Sequence, residues 1–358
     1  MPFVKESLAL STSAVSWHFS AYALGRLSSG FPARRLVEKQ AGLSAIRLVA
    51  LALLVVMTGF AFSPSKLMTV PAALLIGFCG GLLQALTQAQ FAGLPDRVRS
   101  VAIGEAYVVA SLGVFLCPVS IGFVAKHSWP WMAALSIPTL VLAMNLFILR
   151  PAAAAGARPR QVSAGSKGSR TSFAVVTFWA LVFCGNAIEW GIGLWGPQLL
   201  QQKLGLSTAD AVSLMGLYFG ATIAGRIINT RLLRRFECEH LFVAYICLGW
   251  VAVVVIFMSS LFPLVMAGLV VAGACLGCFY PLNLATAMKY APDNISLITS
   301  GAAKCSGLAL LAVPLTLGYA SDVYGLLTAI LVLGGIPPIM GIFLVSVIRG
   351  HRKSADAA

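Results

Sequence analysis

A chain of 358 residues that is 59% apolar and only 10% charged does not fit a water-soluble globule, since soluble domains run at about 45–50% apolar and about 25% charged. A net charge of +14 suits a nucleic-acid binder. The basic residues, however, gather at the ends of apolar runs of about 20 residues, each long enough to cross a bilayer once. The sequence therefore predicts an all-α polytopic membrane protein that meets lipid and has no nucleic-acid face.

In chain order the predicted spans are 9–31, 44–63, 67–91, 101–124, 131–149, 173–200, 211–233, 241–261, 263–288, 296–320 and 326–348. Residues 150–172 are rich in Ala, Gly, Ser, Pro and Arg with no apolar period, as expected of a flexible linker. The predicted organisation is an N-terminal helical bundle (1–149), this linker, a six-helix C-terminal bundle (173–349) and a tail (350–358). With the linker placed in the cytoplasm, twenty Lys and Arg fall in cytoplasmic segments. Only Lys5, Lys66, Lys126 and Lys203 fall outside, and Lys304 lies within a span. This positive-inside bias predicts a multi-pass protein of the inner or plasma membrane with a cytoplasmic C-terminus.

The two halves repeat one another. Leu24-Gly25-Arg26-Leu27 returns as Ala224-Gly225-Arg226-Ile227, and Arg34-Arg35 as Arg234-Arg235, both 200 residues on. Pro95-Asp96 returns as Pro292-Asp293 at 197, and Pro118-x-x-x-Gly122 as Pro314-x-x-x-Gly318 at 196. Parallel repeats in an apolar chain are one way secondary transporters are built. The second half opens with a span at 173–200 that has no counterpart before Gly25. The expectation is therefore the last eleven helices of a twelve-helix plan.

Two six-helix halves with a basic loop after the second helix resemble the major facilitator superfamily over essentially the whole chain. The family's loop reads roughly Gly-x-Leu-Ala-Asp-Arg-Phe-Gly-Arg-Arg. Here it is Gly25-Arg26-Leu27-Ser28-Ser29-Gly30-Phe31 followed by Arg34-Arg35, with Ser29 at the family's acidic position. The second copy carries Asn229 there. The resemblance implies two pseudo-symmetric bundles, alternating access to a small-molecule site, and a cytoplasmic gate at Gly25, Arg26, Arg34, Arg35, Gly225 and Arg226. It also sets the helix carrying Glu105 beside the helix carrying Arg226, so a Glu105–Arg226 gating ion pair is expected. The alternative is an ordinary helix-start carboxylate at Glu105.

A charge at mid-bilayer costs about 2.5–3.5 kcal/mol on insertion scales, so polar groups inside spans point to function. Glu189 lies in the Gly- and Pro-rich run Asn186-Ala187-Ile188-Glu189-Trp190-Gly191. It is a candidate to bind a proton or a polar solute, with Asn186, Trp190 and Trp195 along the path. The competing reading sets it near the outer interface with both tryptophans as anchors. Lys304 either meets an anionic solute or snorkels to the interface. His18 either couples protons, as an imidazole titrating near neutrality can, or is a packing group. Gln84 and Gln88 share one helix face, for a solute or for interhelical bonds. Asn283 is the plausible partner at similar depth in the second half.

Three motif matches carry no weight. Gly191-x-Gly193-x-x-Gly196 follows no strand. Cys275-x-x-Cys278 has no second pair. Asn294-Ile295-Ser296 falls on the cytoplasmic side. No catalytic cluster, cofactor or metal site is expected. The predicted function is a monomeric, non-enzymatic permease, moving a small neutral or amphipathic solute with protons as the coupling ion. The alternative is a non-transporting membrane sensor on the same scaffold.

Overall fold

The computed structural model describes residues 2–38, 42–63, 65–92, 96–127, 129–148, 173–290 and 295–356. Every regular element among them is a helix. The chain divides between Val162 and Ser163 into two compact units.

The first unit holds α1 (Pro2–Ser7), α2 (Thr12–Ser28), α3 (Gly30–Glu38), α4 (Gly42–Ala61), α5 (Lys66–Ala92), α6 (Asp96–Lys126), a 3-10 turn (Trp131–Leu135) and α7 (Ser136–Ile148). The second holds α8 (Phe173–Leu204), α9 (Thr208–Leu232), α10 (Cys238–Met258), α11 (Phe262–Leu276), α12 (Phe279–Tyr290), α13 (Ile295–Tyr324), α14 (Leu326–Gly334) and α15 (Ile336–Asp356). Nine helical segments among the described residues are long and apolar enough to cross a bilayer. The helices found at the first and fifth predicted spans are shorter, 17 and 13 residues.

Three expectations are corrected. The first span ends at Ser28, and the run with Arg34-Arg35 is helical rather than a loop. The predicted spans 263–288 and 326–348 are each two helices. The last helix runs past 349, through most of the predicted tail, to Asp356.

Each unit is built on one close helix crossing. In the first, a Cβ on Gly25 would overlap the backbone of Leu74, and one on Gly77 the carbonyl of Tyr22. Gly81 packs in the same way against Ser29. In the second, Gly225 meets the backbone of Ala274, Gly273 the carbonyl of Tyr218, and Gly277 the side chain of Thr222. Small residues let backbones approach where no hydrophobic force drives helices together. Tyr22/Tyr218, Gly77/Gly273 and Gly81/Gly277 repeat at 196, whereas Gly25/Gly225 repeat at 200. The crossing thus carries both spacings, since the contact of Gly25 with Leu74 returns as that of Gly225 with Ala274 at 200.

Ends and joints are stitched by side chains. Ser11 and Ser207 cap α2 and α9 through bonds from Ala14 N and Asp210 N. Gly205, at φ +64°, terminates α8 in the left-handed region. One residue pair earlier, Lys203 Nζ donates to Ile256 O at 2.6 Å and also to Phe257 O. It thereby sets a cation on the C-terminal carbonyls of α10.

Candidate functional site

Glu189 stands 16 residues after Phe173 and 15 before Leu204, about 22–24 Å from either end of α8. The predicted span stopped at 200; the longer helix moves Glu189 from a near-interfacial place to the midpoint. Glu189 lines a narrow crevice with Leu181, Val182, Gly185, Asn186, Phe279 and Tyr280, too tight in this conformation to admit a water molecule. Gly185 leaves room for the Phe279 ring on the facing helix. Asn186 is tied down: its Nδ2 donates to Val182 O at 2.8 Å, and Ser306 Oγ of α13 donates to its Oδ1 at 3.2 Å. Behind Glu189, Tyr218 of α9 donates its hydroxyl to the Glu189 backbone carbonyl at 3.1 Å. The guanidinium of Arg226 lies within electrostatic reach of the Glu189 carboxylate.

The wall opposite α8 is the joint between α11 and α12. Pro281 has no N–H, so the Gly277 carbonyl four residues earlier loses its helical partner. Arg226 Nε donates to that carbonyl at 3.1 Å. The helix restarts with Leu282 N bonding Cys278 O at 3.0 Å. A second joint obeys the same rule. Pro338 frees the Gly334 carbonyl between α14 and α15, and Trp250 Nε1 of α10 donates to it at 3.1 Å. An unsatisfied carbonyl in a bilayer costs several kcal/mol, so each joint needs its donor.

Other predicted residues are distributed as follows. Asn283 is buried one turn from Phe279, and neither amide atom has a hydrogen-bond partner among the described residues. Trp195 is buried and Trp190 half-buried, and neither lines the crevice, so the interfacial-anchor reading fails for Trp195. Lys304 is exposed on α13. His18 is fully buried, with Nδ1 against Ala14 O at 3.1 Å and Nε2 against Thr69 Oγ1 at 2.8 Å. A carbonyl only accepts, so Nδ1 carries the proton and Nε2 accepts from the threonine. Arg26 donates to the Tyr22 hydroxyl at 3.3 Å and to Gln84 Oε1, which makes Gln84 a partner of the motif arginine. Arg35 is exposed. The side chains of Arg34, Gln88 and Glu105 lie outside the described residues.

Sequence reasoning missed one cluster. Lys289 Nζ sits 2.7 Å from Glu237 Oε2 and 2.8 Å from Glu239 Oε1, joining the start of α10 to the end of α12. In the sequence Lys289 is simply one of the twenty Lys and Arg of the predicted cytoplasmic segments. The two nearby carboxylates, Glu237 and Glu239, were the available signal. Among the described residues no group of three or more His, Cys, Asp or Glu is placed to hold a metal ion.

Two all-helical units with nine described segments long and apolar enough to cross a bilayer define a polytopic helical membrane protein. The Major Facilitator Superfamily profile matches residues 1–303, and the chain belongs to that family of membrane transporters. It is 26% identical over 223 residues to the uncharacterized MFS-type transporter YfkL of Bacillus subtilis (strain 168). That match takes in 59% of this chain and 53% of YfkL, so the chain spans about half the length of this curated relative. In fold it is similar to a bacterial homolog of the human lysosomal transporter Spinster, in an inward-facing and occupied conformation. The TM-score is 0.76 at 12% identity, covering 97% of this chain and 91% of that one. It is likewise similar to the nucleoside transporter NupG, with TM-score 0.76 at 9% identity, covering 97% and 93%.

Proposed function

We propose that this chain is a secondary active transporter that moves a small neutral or amphipathic solute by alternating access, with protons as the coupling ion and Glu189 as their carrier. The observation that carries the reading is Glu189 itself. It is a carboxylate at the midpoint of a membrane-length helix, open to a crevice, with no side-chain hydrogen bond to it among the described residues. A carboxylate retained within a membrane span, with Arg226 as its nearby counter-charge and no side-chain hydrogen bond to it, is a functional-site hypothesis by default. Asn283 offers an unmatched donor and acceptor one turn from the crevice, and Phe279 and Tyr280 add aromatic faces. This lining suits a solute with a few hydrogen-bonding groups and an apolar body. The protein is taken to be a monomer in the cell membrane with its C-terminus in the cytoplasm.

The test uses purified protein in proteoliposomes loaded with a pH-sensitive dye and exposed to a panel of sugars, nucleosides and amphipathic amines. At least one solute should drive proton movement. Glu189→Gln should abolish accumulation driven by a pH gradient while sparing solute exchange at equal pH. Undiminished proton-driven accumulation by Glu189→Gln would remove Glu189 from the coupling role.

A further inference from the structure

We propose that Arg226 is a positioning residue: its guanidinium replaces the amide that Pro281 lacks, and so holds the joint that sets Phe279 and Tyr280 against Glu189. The proposal rests on reading the Glu189 crevice as the solute site.

The two units supply an internal control. At the 196-residue repeat of the crossing, Gly277 corresponds to Gly81, Tyr280 to Gln84 and Pro281 to Ala85. Ala85 keeps its N–H, and α5 runs unbroken from Lys66 to Ala92. The first motif arginine has no freed carbonyl to serve, and Arg26 binds the Gln84 side chain instead. Where proline stands, the helix is interrupted at Gly277-Cys278 and the motif arginine turns to the backbone. Proline alone does not break a helix here, since α5, α6, α8 and α13 run unbroken through Pro71, Pro118, Pro197 and Pro314; at Pro281 the break and the arginine bond occur together.

The second joint shows what distinguishes Arg226. At Gly334 the donor is the neutral indole of Trp250. At Gly277 it is a cation within reach of the Glu189 carboxylate, and the Cys278 thiol beside the joint lies within reach of both charges. One guanidinium therefore serves the backbone of the joint and the field at Glu189. A proton or solute that neutralises Glu189 changes the pull on the group that holds α12 in place.

The experiment is a double-mutant cycle read at Cys278, a buried thiol next to the joint. The rate of N-ethylmaleimide labelling at Cys278 is followed by peptide mass spectrometry on the full-length protein in detergent. Arg226→Met should speed labelling about tenfold, the factor expected when a buried carbonyl loses its donor. Pro281→Ala restores the missing N–H, and Arg226→Met made in that background should label within about twofold of Pro281→Ala alone, because the Gly277 carbonyl then has its own donor; that non-additivity is the coupling the cycle measures. Trp250→Phe should leave Cys278 unchanged, and Pro338→Ala should not rescue Arg226→Met. Equal labelling of Arg226→Met and the parent would overturn the proposal, as would failure of Pro281→Ala to suppress the effect. Should Pro281→Ala not fold, Arg226→Lys decides. Lysine retains a donor and should label more slowly than Arg226→Met, and equal rates would overturn the proposal. None of these readouts needs transport, so a failed proton-coupling assay bears on the function alone.

Discussion

Ser29 and His18 show how a residue's neighbours decide its role. Ser29 stands at the family's acidic position, is 3% exposed, and presses its hydroxyl against Gly81 while donating to Arg26 O at 2.7 Å. A carboxylate there would be buried in the α2–α5 crossing with no room to spare. Ser29→Asp should lower thermal stability in detergent by about 1–3 kcal/mol, the usual cost of overpacking or of a buried unmatched polar group. An unchanged melting point would mean that the crossing opens easily. His18 has both ring nitrogens engaged within its own unit. His18→Gln should therefore cost stability but leave proton-driven accumulation in place. Loss of coupling with stability intact would return His18 to the carrier role. The place of Glu189 inside a long apolar helix was legible in the sequence, because α8 is 32 residues of mostly apolar chain with that one acid in it. Gln84 was not, because which of its neighbours it meets depends on the crossing and not on the span.

At the scale of elements, the glycines carry the argument. Gly77 has no space for a Cβ, whereas Gly80, on another face of α5, has nothing within 4 Å of the position its Cβ would take. Gly77→Ala should destabilise the first unit by about 1–3 kcal/mol through overpacking. Gly80→Ala should be neutral or mildly stabilising, since alanine is the better helix former. Thermal unfolding of the two variants side by side checks this, and equal melting points would show that α2 and α5 are not in close contact. Hydropathy located nine spans of membrane length among the described residues, because lipid imposes length and composition on each, whereas the first and fifth predicted spans hold shorter helices. It could not divide 263–288 or 326–348. Pro281 and Pro338 lie inside unbroken apolar runs, as Pro71, Pro118, Pro197 and Pro314 do inside helices that stay whole, so a proline by itself does not mark a joint. The pairing of Arg226 with Gly277, or Trp250 with Gly334, is a tertiary fact with no local periodicity.

For the whole molecule, duplication is the organising fact, and it was the most legible one. Repeated glycines, prolines and arginines survive because both copies solve the same packing problem. The register was harder to read: Gly25 on Leu74 returns as Gly225 on Ala274 at 200, while Tyr22 on Gly77 returns as Tyr218 on Gly273 at 196, so the packed crossing uses both spacings. Charge placement gives a further test. A green fluorescent protein fused after Ala358 should fluoresce and alkaline phosphatase fused there should be inactive, as expected when Lys and Arg crowd the cytoplasmic segments. The opposite pattern would invert the assigned topology, and with it the side on which Glu105 and Arg226 lie.

The donors that reach the exposed carbonyls of α10 and of the two proline joints share a direction in time, unlike Tyr218 and Ser306, which bond residues made before them. Lys203 precedes the carbonyls of Ile256 and Phe257, Arg226 precedes Gly277, and Trp250 precedes Gly334. A ribosome makes each donor before its acceptor. When a proline-interrupted segment leaves the translocon, the group that will satisfy its bare carbonyl is already in the membrane. No joint has to wait in lipid for a partner still to be synthesised. A circular permutation that reversed this order would preserve every contact of the finished fold and still burden its insertion.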